Sequence, residues 1–82
     1  MRVLVVDDEK IKLISLTDDL AHAGFETASA LNGQEAIDLL ARDSFDVVVT
    51  DIRMSNIDGM ELLKHIKRGK SAQTEVIMMT AY

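Results

Sequence analysis

The sequence predicts an α/β fold, a doubly wound parallel sheet with helices on both faces. Two observations predict it: short apolar runs alternate with longer amphipathic segments along the whole chain, and the runs are rich in β-branched residues. Strands that alternate with helices of about ten residues or more form βαβ units, whose strands are parallel. Right-handed crossovers then place the carboxyl ends of all strands at one edge of the sheet.

The first three elements follow from the apolar pattern and one glycine. Residues 3–6 are a continuous apolar run, typical of a strand buried on both faces. From about residue 10 to residue 23 the apolar spacing is helical, and Gly24 supplies the left-handed residue that caps a helix C-terminus. Residues 25–30 then alternate in polarity, which indicates an edge strand.

Four more elements continue the alternation. Asn32-Gly33 marks the turn into the first of them, because both residues favour turn conformations. The third helix is predicted to turn Met60, Leu63 and Ile66 toward the sheet. The predicted elements are a helix at about 34–42, a strand at 46–50, a helix at about 59–68 and a strand at 75–80.

Length and composition limit the classes of function. The 82 residues suffice for one small domain, with 48% hydrophobic and 28% charged residues. The net charge of −5 argues against a nucleic-acid surface, and the absence of cysteine excludes disulfides and thiolate metal sites. No apolar run reaches the roughly 18 residues of a membrane span. We therefore expect a cytoplasmic protein without direct contact to nucleic acid or membrane.

Acidic residues follow the two central apolar strands. Asp7 and Asp8 come after the first strand, Asp51 comes after the third, and Thr80 closes the fourth. With a strand order of 2-1-3-4, the order reverses between the first and third strands, where open parallel sheets bind ligands. Three converging carboxylates repel one another unless a cation lies among them. Oxygen ligands at an exposed edge suit Mg²⁺, with Mn²⁺ as the alternative.

These motifs and their spacing resemble the receiver domain of two-component response regulators over the whole chain. The matching segments are 3–9, 46–54, 58–59 and 75–81. The ending Thr80-Ala81-Tyr82 is similar to that of receivers attached to nitrogen-regulation-type transcriptional activators. The resemblance implies a three-layer, flavodoxin-like topology. It also implies a signalling phosphoacceptor rather than an enzyme, with at most weak Mg²⁺-dependent self-phosphorylation and autodephosphorylation.

The resemblance also implies residue roles. Asp51 would be the nucleophile that takes a phosphoryl group from a sensor histidine kinase, and it would also be a metal ligand. Asp8 would bind Mg²⁺ directly, Asp7 would act mainly through a water, and the backbone carbonyl of Arg53 would be a further ligand. Thr80 would hydrogen-bond a phosphoryl oxygen. The implied partners are the kinase and a downstream effector domain of the parent protein, such as a transcriptional activator.

Two departures from the receiver pattern bear on function. Ser55 stands where the family usually has proline, which predicts a more mobile loop without the loss of a ligand. Receivers also carry a lysine at the end of a fifth strand, which this sequence does not reach, and Lys64, Lys67 and Lys70 cannot take its role. The fifth strand and the last helices are absent as well, so we expect 1–82 to be a receiver domain that is incomplete at its C-terminus.

An apolar surface is expected to stay uncovered. The last strand is as apolar as the central ones, and Ile11 and Ile14 widen the apolar face of the first helix beyond what a sheet alone covers. A bare strand edge invites pairing with another chain. We therefore expect the 82-residue chain to dimerise or swap elements through its fourth strand and first helix, or else to be loosely folded alone.

Three other functions are the alternatives, and the sequence lacks a feature that two of them need. A non-phosphorylated pseudo-receiver, acting as an interaction scaffold, fits the missing lysine. An aspartate-nucleophile phosphatase of the dehalogenase type would need a second aspartate two residues after Asp51, where Arg53 stands. A nucleotide- or flavin-binding module would need a Gly-rich or Ser/Thr-rich phosphate loop where Asp7-Asp8-Glu9 stands.

Overall fold

The computed structural model describes residues 1–54, 57–69 and 73–79. Within them, strands and helices alternate along the chain. The elements are β1 Arg2–Val6, α1 Lys10–His22, β2 Glu26–Ala30, α2 Gly33–Arg42, β3 Val47–Asp51, α3 Gly59–Arg68 and β4 Glu75–Met79. They agree with the predicted elements to within one residue at each end, and Thr80, predicted to end the last strand, lies outside the described residues.

The strands are parallel and lie in the order β2-β1-β3-β4. Because β1 has a neighbour on each side, Val6 is opposite both Ala30 of β2 and Thr50 of β3. The predicted order 2-1-3-4 is therefore confirmed, and the order reverses between β1 and β3. This register brings the residue that follows β1 beside the last residue of β3, at the carboxyl edge of the sheet.

Helices cover both faces of β1. Val3 and Val5 pack with Leu13 of α1, while Leu4 and Val6 join the cluster formed with α2 and α3. These strand residues are at most 3% exposed, as the continuous apolar run predicts. Burial stabilises them by about 25 cal/mol per Å² of apolar surface. β1 is therefore a fixed platform for the residues that follow it.

Side-chain caps fix the starts of the two helices on the other face. Asn32 Oδ1 accepts a hydrogen bond from the N–H of Glu35 at 2.8 Å, and Asp58 Oδ1 accepts one from the N–H of Glu61 at 2.9 Å. Each cap satisfies a backbone donor that the first helical turn leaves free. No helix in the described ranges is long and apolar enough to cross a membrane.

The inward face of α3 differs from the prediction. Leu62 and Ile66 are buried, whereas Met60 is 46% exposed and Leu63 is only partly buried. The inward stripe runs through Gly59, Leu62 and Ile66, which are spaced so that they share one side of a helix. Gly59 belongs to the stripe because its missing side chain lets α3 begin against the backbone of β3. The prediction was wrong for Met60, which points to solvent.

One apolar surface has no helix over it in the described structure. α1 lies over β1 and β2, and the groove between α1 and β4 is lined by Ile11, Leu16 and Met79 together with charged side chains. Ile11 is 84%, Ile14 51% and Ile77 54% exposed. Among the described residues, β4 also has no strand on its outer side. An exposed apolar surface beside a bare edge favours association between chains.

We expect the 82-residue chain alone to self-associate through this surface at high micromolar concentration. Ile77→Lys should weaken the association by at least about tenfold, because an ammonium is unfavourable in an apolar interface. Size exclusion coupled to light scattering measures the effect. Met60→Lys is the matched control, since Met60 is similarly exposed but lies on α3, and it should leave the association unchanged. A wild-type chain that stays a well-folded monomer under these conditions and melts cooperatively would contradict the prediction.

Candidate functional site

Two carboxylates meet at the carboxyl edge of the sheet, where the strand order reverses. Asp7 directly follows β1, and Asp51 is the last residue of β3, one step beyond the Val6–Thr50 pair. The N–H of Asp7 donates to the carbonyl of Ala30 at 3.1 Å, which continues the pairing of β1 with β2. Asp7 is 1% and Asp51 9% exposed. The sheet therefore holds two acidic groups close together and largely out of water.

A backbone N–H orients each carboxylate. Oδ1 of Asp7 accepts a hydrogen bond from the N–H of Glu9 at 2.9 Å, and Oδ1 of Asp51 accepts one from the N–H of Arg53 at 3.3 Å. In both cases the donor lies two residues further along the chain, as in an Asx turn. Both Oδ2 atoms therefore remain available to a third group.

That third group is Lys12, on the first turn of α1. Its Nζ lies 3.2 Å from Oδ2 of Asp7 and 3.3 Å from Oδ2 of Asp51. The chain itself thus supplies a cation between the carboxylates, which the sequence predicts to repel one another without one. Interaction with Asp7 raises the pKa of Lys12 above its ordinary value, while desolvation opposes the rise and Asp51 adds to it. Lys12 is therefore an ammonium that offsets one of the two negative charges.

Lys12 is not among the residues that the sequence predicts for the site. The available signal was a lysine five residues after Asp7, on the helical turn that leaves the acidic loop. Its direction depends on the rotation of α1, which the burial of Leu13 against β1 determines. The position of a lysine in the helix is therefore visible in the sequence, whereas its contact with the carboxylates is a tertiary feature.

The carboxylates fit a hard divalent cation. Oδ2 of Asp7 is buried and accepts no hydrogen bond, although Nζ of Lys12 lies at ion-pair distance. A buried carboxylate oxygen without a hydrogen bond is unfavourable, and a cation relieves it. Mg²⁺ typically binds one or two carboxylates and keeps several waters. Asp7 and Asp51 are sufficient for a site of that kind.

The other predicted site residues have different outcomes. Asp8 is exposed, and no group of three acidic, histidine or cysteine side chains in the described part of the chain is placed to hold a metal. Arg53 is also exposed, and its N–H contacts Asp51. Thr80 lies outside the described residues. The roles of Asp8, of the Arg53 carbonyl and of Thr80 therefore stay predictions.

The fold and the site together define a class of protein. A parallel sheet of order 2-1-3-4 with carboxylates at its switch point has the doubly wound, flavodoxin-like architecture. A family model described as the response regulator receiver domain matches residues 3–82. The chain belongs to this family.

Similar proteins agree with the assignment. The chain is 46% identical to regulatory protein AtoC of Escherichia coli and 40% identical to response regulator protein PilR of Pseudomonas aeruginosa, each over 99% of its length. It spans only 17% and 18% of those two proteins. The crystal structure of response regulator protein TrrA of Thermotoga maritima, in complex with Mg²⁺-BeF, has a TM-score of 0.91 and 37% identity. The match covers 99% of this chain and 70% of that one.

Proposed function

We propose that the chain is a phosphoacceptor domain of a two-component response regulator and that Asp51 accepts the phosphoryl group. The position of Asp51 carries the proposal: its carboxylate ends β3 at the switch point, and 13% of its side chain is exposed. The carboxylate of Asp7 beside it is buried. Asp51 is therefore the acid of this pair that a donor reaches from solvent.

The proposed transfer joins one carboxylate oxygen of Asp51 to phosphorus. An O–P bond forms and the P–N bond of a phosphohistidine breaks, and the imidazole leaves with the bonding electron pair and takes up a proton. The product is an acyl phosphate on Asp51. Phosphoryl transfer depends mainly on positioning and charge neutralisation. The N–H of Arg53 contributes positioning, because its hydrogen bond to Oδ1 holds the carboxylate in one orientation.

We propose Mg²⁺ as the metal of the site, with Mn²⁺ as the alternative. Asp51 and Asp8 would hold it directly and Asp7 mainly through a water, with the backbone carbonyl of Arg53 as a further ligand. Thr80 would be the hydrogen-bond donor to a phosphoryl oxygen. When bound, the ion supplies positive charge that offsets the carboxylates and the anionic donor. The TrrA complex, which contains Mg²⁺-BeF, supports this proposal.

The proposed partners are a sensor histidine kinase, as phosphoryl donor, and a downstream effector domain of the parent protein. A transcriptional activator is the proposed kind of effector. The relatives support these partners, since one is a regulatory protein and another a response regulator, and both are much longer than the 82-residue chain. We place the protein in the cytoplasm as part of the same proposal.

Intact-mass spectrometry after incubation with acetyl phosphate, a small phosphoryl donor, tests the proposal. One phosphoryl group per chain is expected with Mg²⁺ and none with excess chelator, because the crowded negative charges repel an anionic donor. Hydroxylamine, which cleaves acyl phosphates, should remove the label. Equal labelling in chelator would exclude a metal-dependent aspartyl phosphate.

A non-phosphorylated pseudo-receiver scaffold is the second candidate function, and Lys12 favours it. Its ammonium already offsets carboxylate charge at the switch point, so the site holds together without a metal. The same experiment separates the two functions. A chain that takes no label from acetyl phosphate at any Mg²⁺ concentration would support the scaffold.

A further inference from the structure

We propose that the Lys12 ammonium fills the cation position of the site in the metal-free protein and has to leave it when Mg²⁺ binds. Lys12 then lowers the affinity of the site for Mg²⁺, as a competitor built into the chain. The inference rests on the proposed function, because it concerns the metal that the phosphoacceptor site takes. It assigns a regulatory role to a residue that neither the sequence motifs nor the family match singles out.

The Lys12 ammonium contacts the same two carboxylates that a metal at this site would use. Nζ of Lys12 lies 3.2 Å from Oδ2 of Asp7 and 3.3 Å from Oδ2 of Asp51. The Oδ1 atoms already accept hydrogen bonds from the N–H groups of Glu9 and Arg53. Mg²⁺ binds carboxylate oxygen at about 2.1 Å. Mg²⁺ held by these carboxylates, directly or through a water, would meet the ammonium at the same two side chains.

Burial makes the competition strong. The side chain of Asp7 is 1% and that of Asp51 13% exposed, so solvent and salt screen charges weakly here. A divalent ion and an ammonium at the same carboxylates therefore repel each other. Nζ of Lys12 donates a hydrogen bond to Oδ2 of Asp51 at 3.3 Å, whereas Oδ2 of Asp7 accepts none and attracts the ammonium by its charge. A divalent ion carries twice the charge of the ammonium and binds carboxylate oxygen at a shorter distance, so we expect it to displace the ammonium.

Lys12 also has a place to move to. Its side chain is 31% exposed, and its flexible four-carbon stem lets the ammonium rotate away from the carboxylates. The residue lines the groove between α1 and β4, which the carboxylates of Glu9 and Asp19 line as well. A displaced ammonium can therefore reach solvent while α1 stays in place. The exchange needs a side-chain rotation and no change of fold.

Calorimetric titration of Mg²⁺ into the 82-residue chain and its variants tests the inference. Lys12→Met should lower the Kd for Mg²⁺ by at least about fivefold, because the competing cation is gone. Lys12→Gln, which keeps a polar side chain, should do the same and serves if the methionine variant does not fold. Lys10→Met is the matched control: it removes the same charge from an exposed position on the same helical turn and should stay within about twofold of wild type.

Thermal melts give a second readout that does not depend on phosphorylation. In chelator, Lys12→Met should melt below wild type, because Asp7 and Asp51 then face each other without a cation, and excess Mg²⁺ should remove most of the difference. Two results together would overturn the inference and leave the proposed function intact. The Lys12 variants would have the same Kd for Mg²⁺ as wild type, and Asp7→Asn would still weaken Mg²⁺ binding. A wild-type chain and Lys12 variants that all fail to bind Mg²⁺ would overturn both.

Discussion

Asp51→Asn is expected to abolish phosphoryl incorporation. An amide lacks the nucleophilic carboxylate that forms an acyl phosphate. The substitution keeps the size of the side chain and an oxygen that can accept the hydrogen bond from the N–H of Arg53. The fold should therefore persist while the reaction is lost. Intact-mass spectrometry after incubation with acetyl phosphate and Mg²⁺ should show label on wild type and none on the variant.

Two controls separate the acceptor from its surroundings. Asp46→Asn removes the same charge just before β3, at the opposite edge of the sheet, where Oδ2 of Asp46 accepts a hydrogen bond from the N–H of Arg2 at 2.8 Å. This variant should label like wild type. Asp7→Asn leaves the acceptor in place but removes a carboxylate from the cation position, so its label should require more Mg²⁺. Label on Asp51→Asn at the level of wild type would place the acceptor elsewhere.

The topology could be predicted from the sequence because local and global signals agree. Continuous apolar runs mark the central strands, alternating polarity marks β2 at the edge, and helical spacing lies between them, which gives a parallel sheet. The order β2-β1-β3-β4 is the one that the resemblance to receiver domains implies. The orientation of α3 was predicted less well. Met60 and Leu62 are both apolar, so the hydrophobic pattern does not tell which of them faces the sheet. The close contact of Gly59 with the backbone of β3 turns Leu62 inward, and a glycine contributes nothing to a hydrophobic pattern.

The acidic half of the site could be predicted and the basic half could not. Asp7 and Asp51 end neighbouring parallel strands, so the register of the sheet alone brings them together. Lys12 reaches them from a helix whose apolar residues extend around more than half of its circumference, and such a pattern leaves the rotation of the helix open. The burial of Leu13, with Ile11 and Ile14 exposed, fixes that rotation in the structure.

Gly59→Ala is expected to be among the most destabilising single substitutions in the chain. A Cβ at this position would overlap the carbonyl oxygen of Asp51 and lie 2.9 Å from Cα of Ile52. Both are backbone atoms, and the N–H of Gly59 also donates to the carbonyl of Ile52 at 2.8 Å, so neither side can move freely. Overlap of this kind costs about 3 kcal/mol. A domain of this size is stable by only about 4–12 kcal/mol.

The measurement is a thermal or urea melt, with Gly69→Ala as the matched control. The melting temperature of Gly59→Ala should fall by more than about 10 °C. Gly69 is exposed at the end of the same helix, and a Cβ there would lie 3.4 Å from the carbonyl oxygen of His65, so its variant should change stability by less than about 0.5 kcal/mol. Equal melting temperatures for the two variants would mean that α3 does not begin tightly against β3.

The contact of Gly59 with the backbone of β3 also supports Asp51. A shift of that backbone would move the acceptor carboxylate away from Asp7. Any folded Gly59→Ala protein should therefore bind Mg²⁺ more weakly than wild type.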